Sequence, residues 1–419
     1  MSDGNMDRRD ALKLMGAAAA ASAGIMASAA GADPIESDIK PFKIHVSDEA
    51  LDDLRKRLAM TRFPDDSPGA PWEYGTDREY MKELIAYWKD AYDWRTHEAR
   101  LNAFDHYTTT IDGQMIHFVH QKGRGKSPLA LLMTHGWPGT LWEMLPSVRR
   151  LSDPATHGGS ESDAFDVVVP SLPGYGFSGL PREGINMRTT ADLWAKLMTK
   201  LGYARFGAYG SDWGVGVTHE LGARYADRVV GVIAPGHPPQ KKRDPETEEE
   251  RAFVASGRKW SVDEAGYQRI QGTKPQTLSY GLTDSPVGLA AWITEKLRSW
   301  SDCDGDVEKR FSKDQILTLL SIYWHTRTIG TSVRYYHSNG YWRTGVNHPK
   351  RGKIRVPQGY LEFIGIPSQL RPPRSFLREP PENVTHWSTF DTGGHFPAIE
   401  EPELLTKALR KFFRPLRSK

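Results

Sequence analysis

Gly210-Ser211-Asp212-Trp213-Gly214 lies between a short apolar run, Ala204 to Tyr209, and a segment with helical spacing, Val215 to Tyr225. A Gly-x-residue-x-Gly turn from strand to helix is sharp and strained, and it pushes its middle side chain out beyond the end of the sheet. Here that side chain is Asp212. Framing the turn on Ser211 would instead put Tyr209 and Trp213 where the glycines are needed. A carboxylate in this place is a nucleophile suited to saturated carbon, as in an epoxide or alkyl halide, and it leaves an alkyl ester for water to cleave. The plain alternative is a Gly-rich turn with a helix-capping aspartate.

Outward from this turn, the chain alternates. Strand-like runs fall at His106 to Ile111, Ile116 to Gln121, Leu129 to Thr134, Phe165 to Pro170 and Val229 to Ala234, with Asp112-Gly113 as a hairpin signal. A helical pattern spans Thr189 to Leu201. Such β/α alternation predicts a mostly parallel sheet with helices on both faces. It stops near Pro235. Residues 238–350 are polar and then aromatic-rich, with helices expected at Leu289 to Trp300 and Gln315 to Arg327. Strands return at Ile354 to Phe363 and Val384 to Phe390, and a last helix runs from Glu403 to Phe413. Before the sheet, Leu51, Leu54 and Leu58, then Tyr80, Leu84 and Trp88, mark two helices separated by Pro64, Pro68 and Pro71. These predict a helical extension outside the sheet. The expected fold is an α/β-hydrolase core, residues 101–237 and 351–419, with an N-terminal helical extension at 38–100 and a cap at 238–350.

An ester intermediate needs a base to activate water. Gly393-Gly394-His395-Phe396 follows the last expected strand, 183 residues after Asp212. Nucleophile first and histidine on the final loop is the α/β-hydrolase chain order. His135-Gly136-Trp137-Pro138-Gly139 follows the strand Leu129 to Thr134, where this fold supplies an oxyanion-hole N–H. Trp137 and Trp213 are the expected backbone donors, and His135 is expected to orient the loop. Epoxide opening also needs an acid for the leaving oxygen. A tyrosine pair in the cap suits that role, but residue chemistry alone does not choose among 16 tyrosines.

Composition bounds the alternatives. The 419 residues carry a net charge of +3 with both signs interspersed, which gives no case for nucleic-acid binding. Thirteen tryptophans favour a deep apolar pocket. Cys303 is the sole cysteine, so intrachain disulfides and a cysteine-based metal site are excluded. No apolar run reaches the roughly 20 residues that span a bilayer. At the start, Arg8-Arg9, Asp10-Ala11-Leu12-Lys13, a weakly apolar run from Leu14 to Met26 and Ala27-Ser28-Ala29 read as a twin-arginine export signal over residues 1–32. Export to the periplasm or beyond is the expectation.

With these pieces in place, residues 38–415 resemble the microsomal-type epoxide hydrolases. The resemblance rests on the extension, the three motifs above and two cap segments. These are Gly266-Tyr267-x-x-Ile270-Gln271-x-Thr273-Lys274-Pro275 and Thr328-Ile329-Gly330-x-Ser332-x-Arg334-Tyr335-Tyr336. It implies Asp212 as nucleophile, His395 as base, and Tyr267 and Tyr336 as donors to the oxirane oxygen, with Tyr335 as the neighbouring alternative. It implies a small apolar epoxide and water as partners and no metal or organic cofactor; a homo-oligomer is compatible with it. One element departs from the family. The acid expected after the penultimate strand falls at Gln369 in Glu362-Phe363-Ile364-Gly365-Ile366-Pro367-Ser368-Gln369-Leu370. A glutamine holds an imidazole tautomer but does not offset the charge of an imidazolium. Glu362 is the substitute at hand. Competing readings are a haloalkane dehalogenase, against which the tyrosine motifs speak, and a hydrolase-like binding protein that traps an electrophile once.

Overall fold

The computed structural model describes residues 38–340, 352–363, 365 and 370–417. The expected export segment at 1–32 and Gln369 lie outside the described residues. Three helices lie near the start of the described chain: α1 (Asp48–Ala59), α2 (Arg78–Asp90) and α3 (Trp94–Leu101), capped by Ser47, Asp77 and Asp93. Nine strands then form one sheet: β1 (Lys40–Pro41), β2 (His106–Ile111), β3 (Gln114–Gln121), β4 (Leu129–Thr134), β5 (Phe165–Pro170), β6 (Phe206–Gly210), β7 (Val229–Pro235), β8 (Gln358–Phe363) and β9 (Val384–Phe390). Their order is β1-β2-β3-β5-β4-β6-β7-β8-β9. From β1 to β5 the pairing is antiparallel, and from β5 to β9 it is parallel.

Two local expectations need correction. The N-terminal extension does touch the sheet: Lys40 and Pro41 pair with Thr108 and Tyr107 as an edge strand. Proline lacks an N–H, so an edge is where it fits. The strand expected from Ile354 begins only at Gln358. The carbonyls of Ile354 and Val356 are taken by the Asn383 side chain, so that stretch has no ladder to join.

Helices cover both faces of the sheet. Along β7 the side chains alternate: Val232 packs under α6 (Trp213–Arg224), while Gly231 faces Phe412 of α14 (Pro402–Phe413). On the α6 side lies α5 (Met187–Lys200); on the α14 side lie α4 (Leu145–Ser152) and α13 (Pro397–Glu400). Between β7 and β8 the cap inserts, among the described residues, six α-helices: α7 (Glu248–Asp263), α8 (Gly266–Thr273), α9 (Pro275–Asp284), α10 (Pro286–Trp300), α11 (Lys313–Thr326) and α12 (Ile329–Ser338). The N-terminal helices pack on α10 and α11, so the extension braces the cap. β4, β5 and β6 are buried along almost their whole length, as parallel strands covered on both faces should be. The site therefore stands on deeply buried strands of the sheet.

Candidate active site

Asp212 sits at the junction of β6 and α6 with φ 51° and ψ −116°. Left-handed φ is uncommon for a residue with a side chain and marks a strained turn. The turn is held by Ser211 N–H donating to Thr134 O at 3.1 Å and Gly214 N–H donating to Ser211 O at 2.7 Å. Gly214 is obligatory, because a Cβ there would lie 2.0 Å from Thr134 O. The Asp212 carboxylate is thus aimed away from the sheet at the N-terminal end of α6, whose dipole favours its negative charge.

Two elements converge on it. Trp137 N–H donates to Asp212 Oδ1 at 2.9 Å. A Cβ on Gly136 would lie 2.2 Å from Asp212 Cβ, so only glycine lets this loop approach. His135 fixes the loop: its Nε2 accepts from Leu172 N–H at 3.1 Å, which leaves Nδ1 to donate to Gly136 O at 3.0 Å. Complete burial lowers the His135 imidazole to about 4, so it stays neutral. From the other side, His395 Nε2 lies 3.4 Å from Asp212 Oδ2. His395 is also packed on the Trp300 ring, at 4.9 Å between centroids. Trp213, the first residue of α6, lays its ring against Tyr336 at 4.6 Å.

Tyr267 of α8 and Tyr336 of α12 are both buried, with ring centroids 5.8 Å apart. Tyr267 stacks on Trp137 at 5.4 Å and 10°, and Tyr336 stands edge-on to Trp137 at 5.8 Å. Together with Asp212 and Trp213 they line a cavity of about 210 Å³. Burial, with Tyr267 and the charge of Asp212 nearby, raises the Tyr336 phenol well above its usual range, so it is a hydrogen-bond donor. Tyr335 is engaged elsewhere, its hydroxyl 2.9 Å from Thr190 Oγ1. A second cavity, about 510 Å³, reaches Asp212 from the His395 side between Trp260, Phe253 and Phe363.

Glu362 also lines that larger cavity. It is buried, with Oε2 accepting from Thr389 Oγ1 at 2.9 Å and from Arg374 Nη2 at 3.3 Å. Among the described residues its Oε1 is buried without a hydrogen-bond partner. Among the described residues no carboxylate is hydrogen-bonded to His395 Nδ1.

Two carboxyl groups bear on the site without any motif to announce them. Glu400 of α13 accepts the N–H groups of Gly394, Phe396 and Asp302 at 2.8–2.9 Å, and so grips the loop on both sides of His395. Asp302 in turn accepts from Gly393 N–H at 3.0 Å and pairs with Arg310, which also binds Glu401. Glu143 is hydrogen-bonded to Ser211, the neighbour of Asp212. The only hint in the sequence was proximity: Glu400 follows His395 by five residues and Glu143 follows His135 by eight. Among the described residues no three His, Cys, Asp or Glu side chains are gathered as a metal site.

A carboxylate at a strand-to-helix elbow, a histidine on the last loop and an amide donor from the loop after β4 define an α/β-hydrolase with aspartate in the nucleophile position. Comparison narrows this class. The family model for the epoxide hydrolase N terminus matches residues 39–144, and that for the alpha/beta hydrolase fold matches residues 130–265. A Stigmatella aurantiaca protein is 40% identical over 389 residues, spanning 91% of this chain and 86% of that one. Epoxide hydrolase 1 of Sus scrofa is 34% identical over 424 residues, spanning 90% and 89%. Among solved structures, juvenile hormone epoxide hydrolase from the silkworm Bombyx mori superposes with a TM-score of 0.75 at 28% identity, over 91% of this chain and 95% of that one. The chain belongs to the epoxide hydrolase family of the α/β-hydrolases.

Proposed function

We propose that this chain converts an apolar epoxide to a vicinal diol through an alkyl ester on Asp212. The observation that carries the reading is the placement of unlike chemistry on two sides of one carboxylate. Tyr267 and Tyr336 share one cavity with Asp212, and His395 shares the other. Asp212 attacks an oxirane carbon, the carbon–oxygen bond breaks, and the released alkoxide takes a hydrogen bond and then a proton from the tyrosine pair. His395 next takes a proton from water, and the hydroxide adds to Asp212 Cγ. The oxyanion formed there is held by the N–H groups of Trp137 and Trp213. Collapse passes the added hydroxyl proton to the departing alkoxide, which frees the diol and restores the carboxylate, and the proton held by His395 returns to the tyrosinate.

Glu362 serves in this scheme as the acid that offsets the imidazolium charge. Supporting it are its burial, its Oε1, which has no hydrogen-bond partner among the described residues, and its place in the same cavity as His395. The tyrosine pair favours an oxirane over an alkyl halide, because a halide leaving group needs no proton. Aromatic and apolar lining favours an apolar substrate. Residues 1–32 act as a twin-arginine export signal in this reading.

The test is intact-mass spectrometry during incubation with excess styrene oxide, with diol measured in the same samples. Wild type should show diol beyond one equivalent and a transient adduct on Asp212. His395→Gln should accumulate the adduct to one equivalent with little diol. A stable adduct on wild type itself would mean single-use trapping, and Asp212→Asn with wild-type turnover would remove the ester from the mechanism.

A further inference from the structure

Glu143 lies in the 3-10 turn Leu141–Met144, just after the His135–Gly139 loop, and is 3% exposed. Its Oε1 accepts from Ser211 Oγ at 2.9 Å. The Gly136 amide faces the same carboxyl group. Oε2 is packed so closely on the loop that a Cβ at Gly139 would lie 1.6 Å from it. One side chain therefore bridges the loop that presents the Trp137 N–H and the turn that presents Asp212. A buried carboxyl group in such a place is costly unless it is neutral or fully paired.

We propose that Glu143 is a positioning residue: it clamps the His135–Gly139 loop to the Asp212 turn and keeps the Trp137 N–H on the Asp212 carboxyl group. This rests on the reading of Asp212 as the nucleophile. Several surroundings favour the neutral form. Burial, and the like charge of Asp212, push the Glu143 carboxyl up to about 8. Tyr209 of β6 and Tyr323 of α11 also face it, and burial keeps both phenols protonated. Tyr323 donates to Gly139 O at 3.0 Å and so secures the same loop. Of the charged groups on the other packed elements, Glu400 of α13 is turned onto the His395 loop. Asp166 of β5 is bound by Lys122 and Tyr203, and α4 contributes Arg149 and Arg150.

The sign follows from the neutral form being the working one. The Glu143 contribution to function is complete well below pH 8 and declines as Glu143 ionises, because a second negative charge then stands where the ester oxyanion must form. Stability moves the same way. The unfolded chain gives up this proton near the ordinary carboxyl value of 4.5 and the folded chain holds it to about 8, so this residue makes stability fall across that window.

The experiment compares wild type, Glu143→Gln and Glu143→Leu in single turnovers of styrene oxide from pH 6 to 9.5, reading adduct formation and decay by mass, with thermal melts at pH 5 and 8. Glu143→Gln keeps the size and the hydrogen bonds. It should stay within about threefold of wild type at pH 6.5, lose the decline above pH 8, and melt higher than wild type at pH 8 with a smaller gap at pH 5. Glu143→Leu should form and cleave the ester at least about tenfold more slowly at every pH, since the loop is no longer tied. A Glu143→Gln profile that declines above pH 8 as wild type does, with no gain in melting temperature there, would overturn the proposal. So would a Glu143→Leu variant at the wild-type rate. A wild type that never carries an adduct on Asp212 would be distinguishable from both, and would take the clamp down with the nucleophile.

Discussion

Asp212 holds a backbone conformation that costs about 1–3 kcal/mol in an ordinary residue, and the fold maintains it with hydrogen bonds from both flanking elements. Strain of this kind is worth keeping only where the side chain has to stand clear of the sheet. Around Asp212, single side chains divide the labour. If the tyrosines act on the leaving oxygen, Tyr336→Phe should slow ester formation by about 10²-fold and leave ester cleavage unchanged, as read by rapid-quench mass analysis. Slowed cleavage with normal formation would place Tyr336 in the wrong half-reaction. Asp212 and His395 stood out in the sequence because glycines beside them declare a tight turn or a close approach. Tyr336 was separable from Tyr335 only by family resemblance; in the structure the distinction is physical, one hydroxyl being committed to Thr190 and the other ring lining the Asp212 cavity. Glu143 and Glu400 could not have been picked out. A carboxyl group acquires such a role from burial and from the amides it meets, and neither is written in its neighbours along the chain.

The elements that matter most are the short ones that bring remote pieces of chain together. The loop after β9 carries His395 but is held by α13, through the three amide N–H groups that converge on Glu400. Burial raises the Glu400 carboxyl above its ordinary value, and the amide donors are what it has in exchange for water. Glu400→Gln would turn an NH2 group toward those donors and leave at least one unsatisfied. The expected result is a loss of about 1–3 kcal/mol of stability by denaturant unfolding, with ester cleavage slowed more than ester formation because it is His395 that shifts. Equal effects on both steps would argue for general loosening instead. At this scale the sequence was a good guide where apolar, β-branched or aromatic residues cluster: β2, β4, β5 and β9 lie where their patterns place them. It misled where side chains compete for the backbone, as Asn383 does before β8, and where two residues suffice to extend an edge, as at Lys40 and Pro41.

As a whole, the described chain is a sheet that aims Asp212, a cap that encloses it, and an N-terminal extension that braces the cap. The cap is also tied at its start, where Arg243 makes two hydrogen bonds of 2.7 Å to the buried Glu250, which also accepts from Ser375 Oγ. That ion pair holds the Glu250 carboxyl below the usual range, so its contribution is present above about pH 4.5 and is lost in acid. Enclosure suits the proposed chemistry, in which a carboxylate and an oxyanion would be held by fixed donors with apolar rings around them in place of bulk water. This arrangement was legible in outline, because the β/α alternation breaks off after Pro235 and resumes past residue 350. The meeting of two cavities at Asp212 was not, since it depends on how α7, α8 and α12 pack. Both cavities have a purpose only if catalysis passes through an ester, opened from the tyrosine side and cleaved from the histidine side. A single turnover in water enriched in oxygen-18, with protein in excess over styrene oxide, tests that claim most directly. The account predicts unlabelled diol and one heavy oxygen in the peptide containing Asp212; heavy oxygen in the diol of that first turnover would show that water attacks the epoxide itself, and would contradict it.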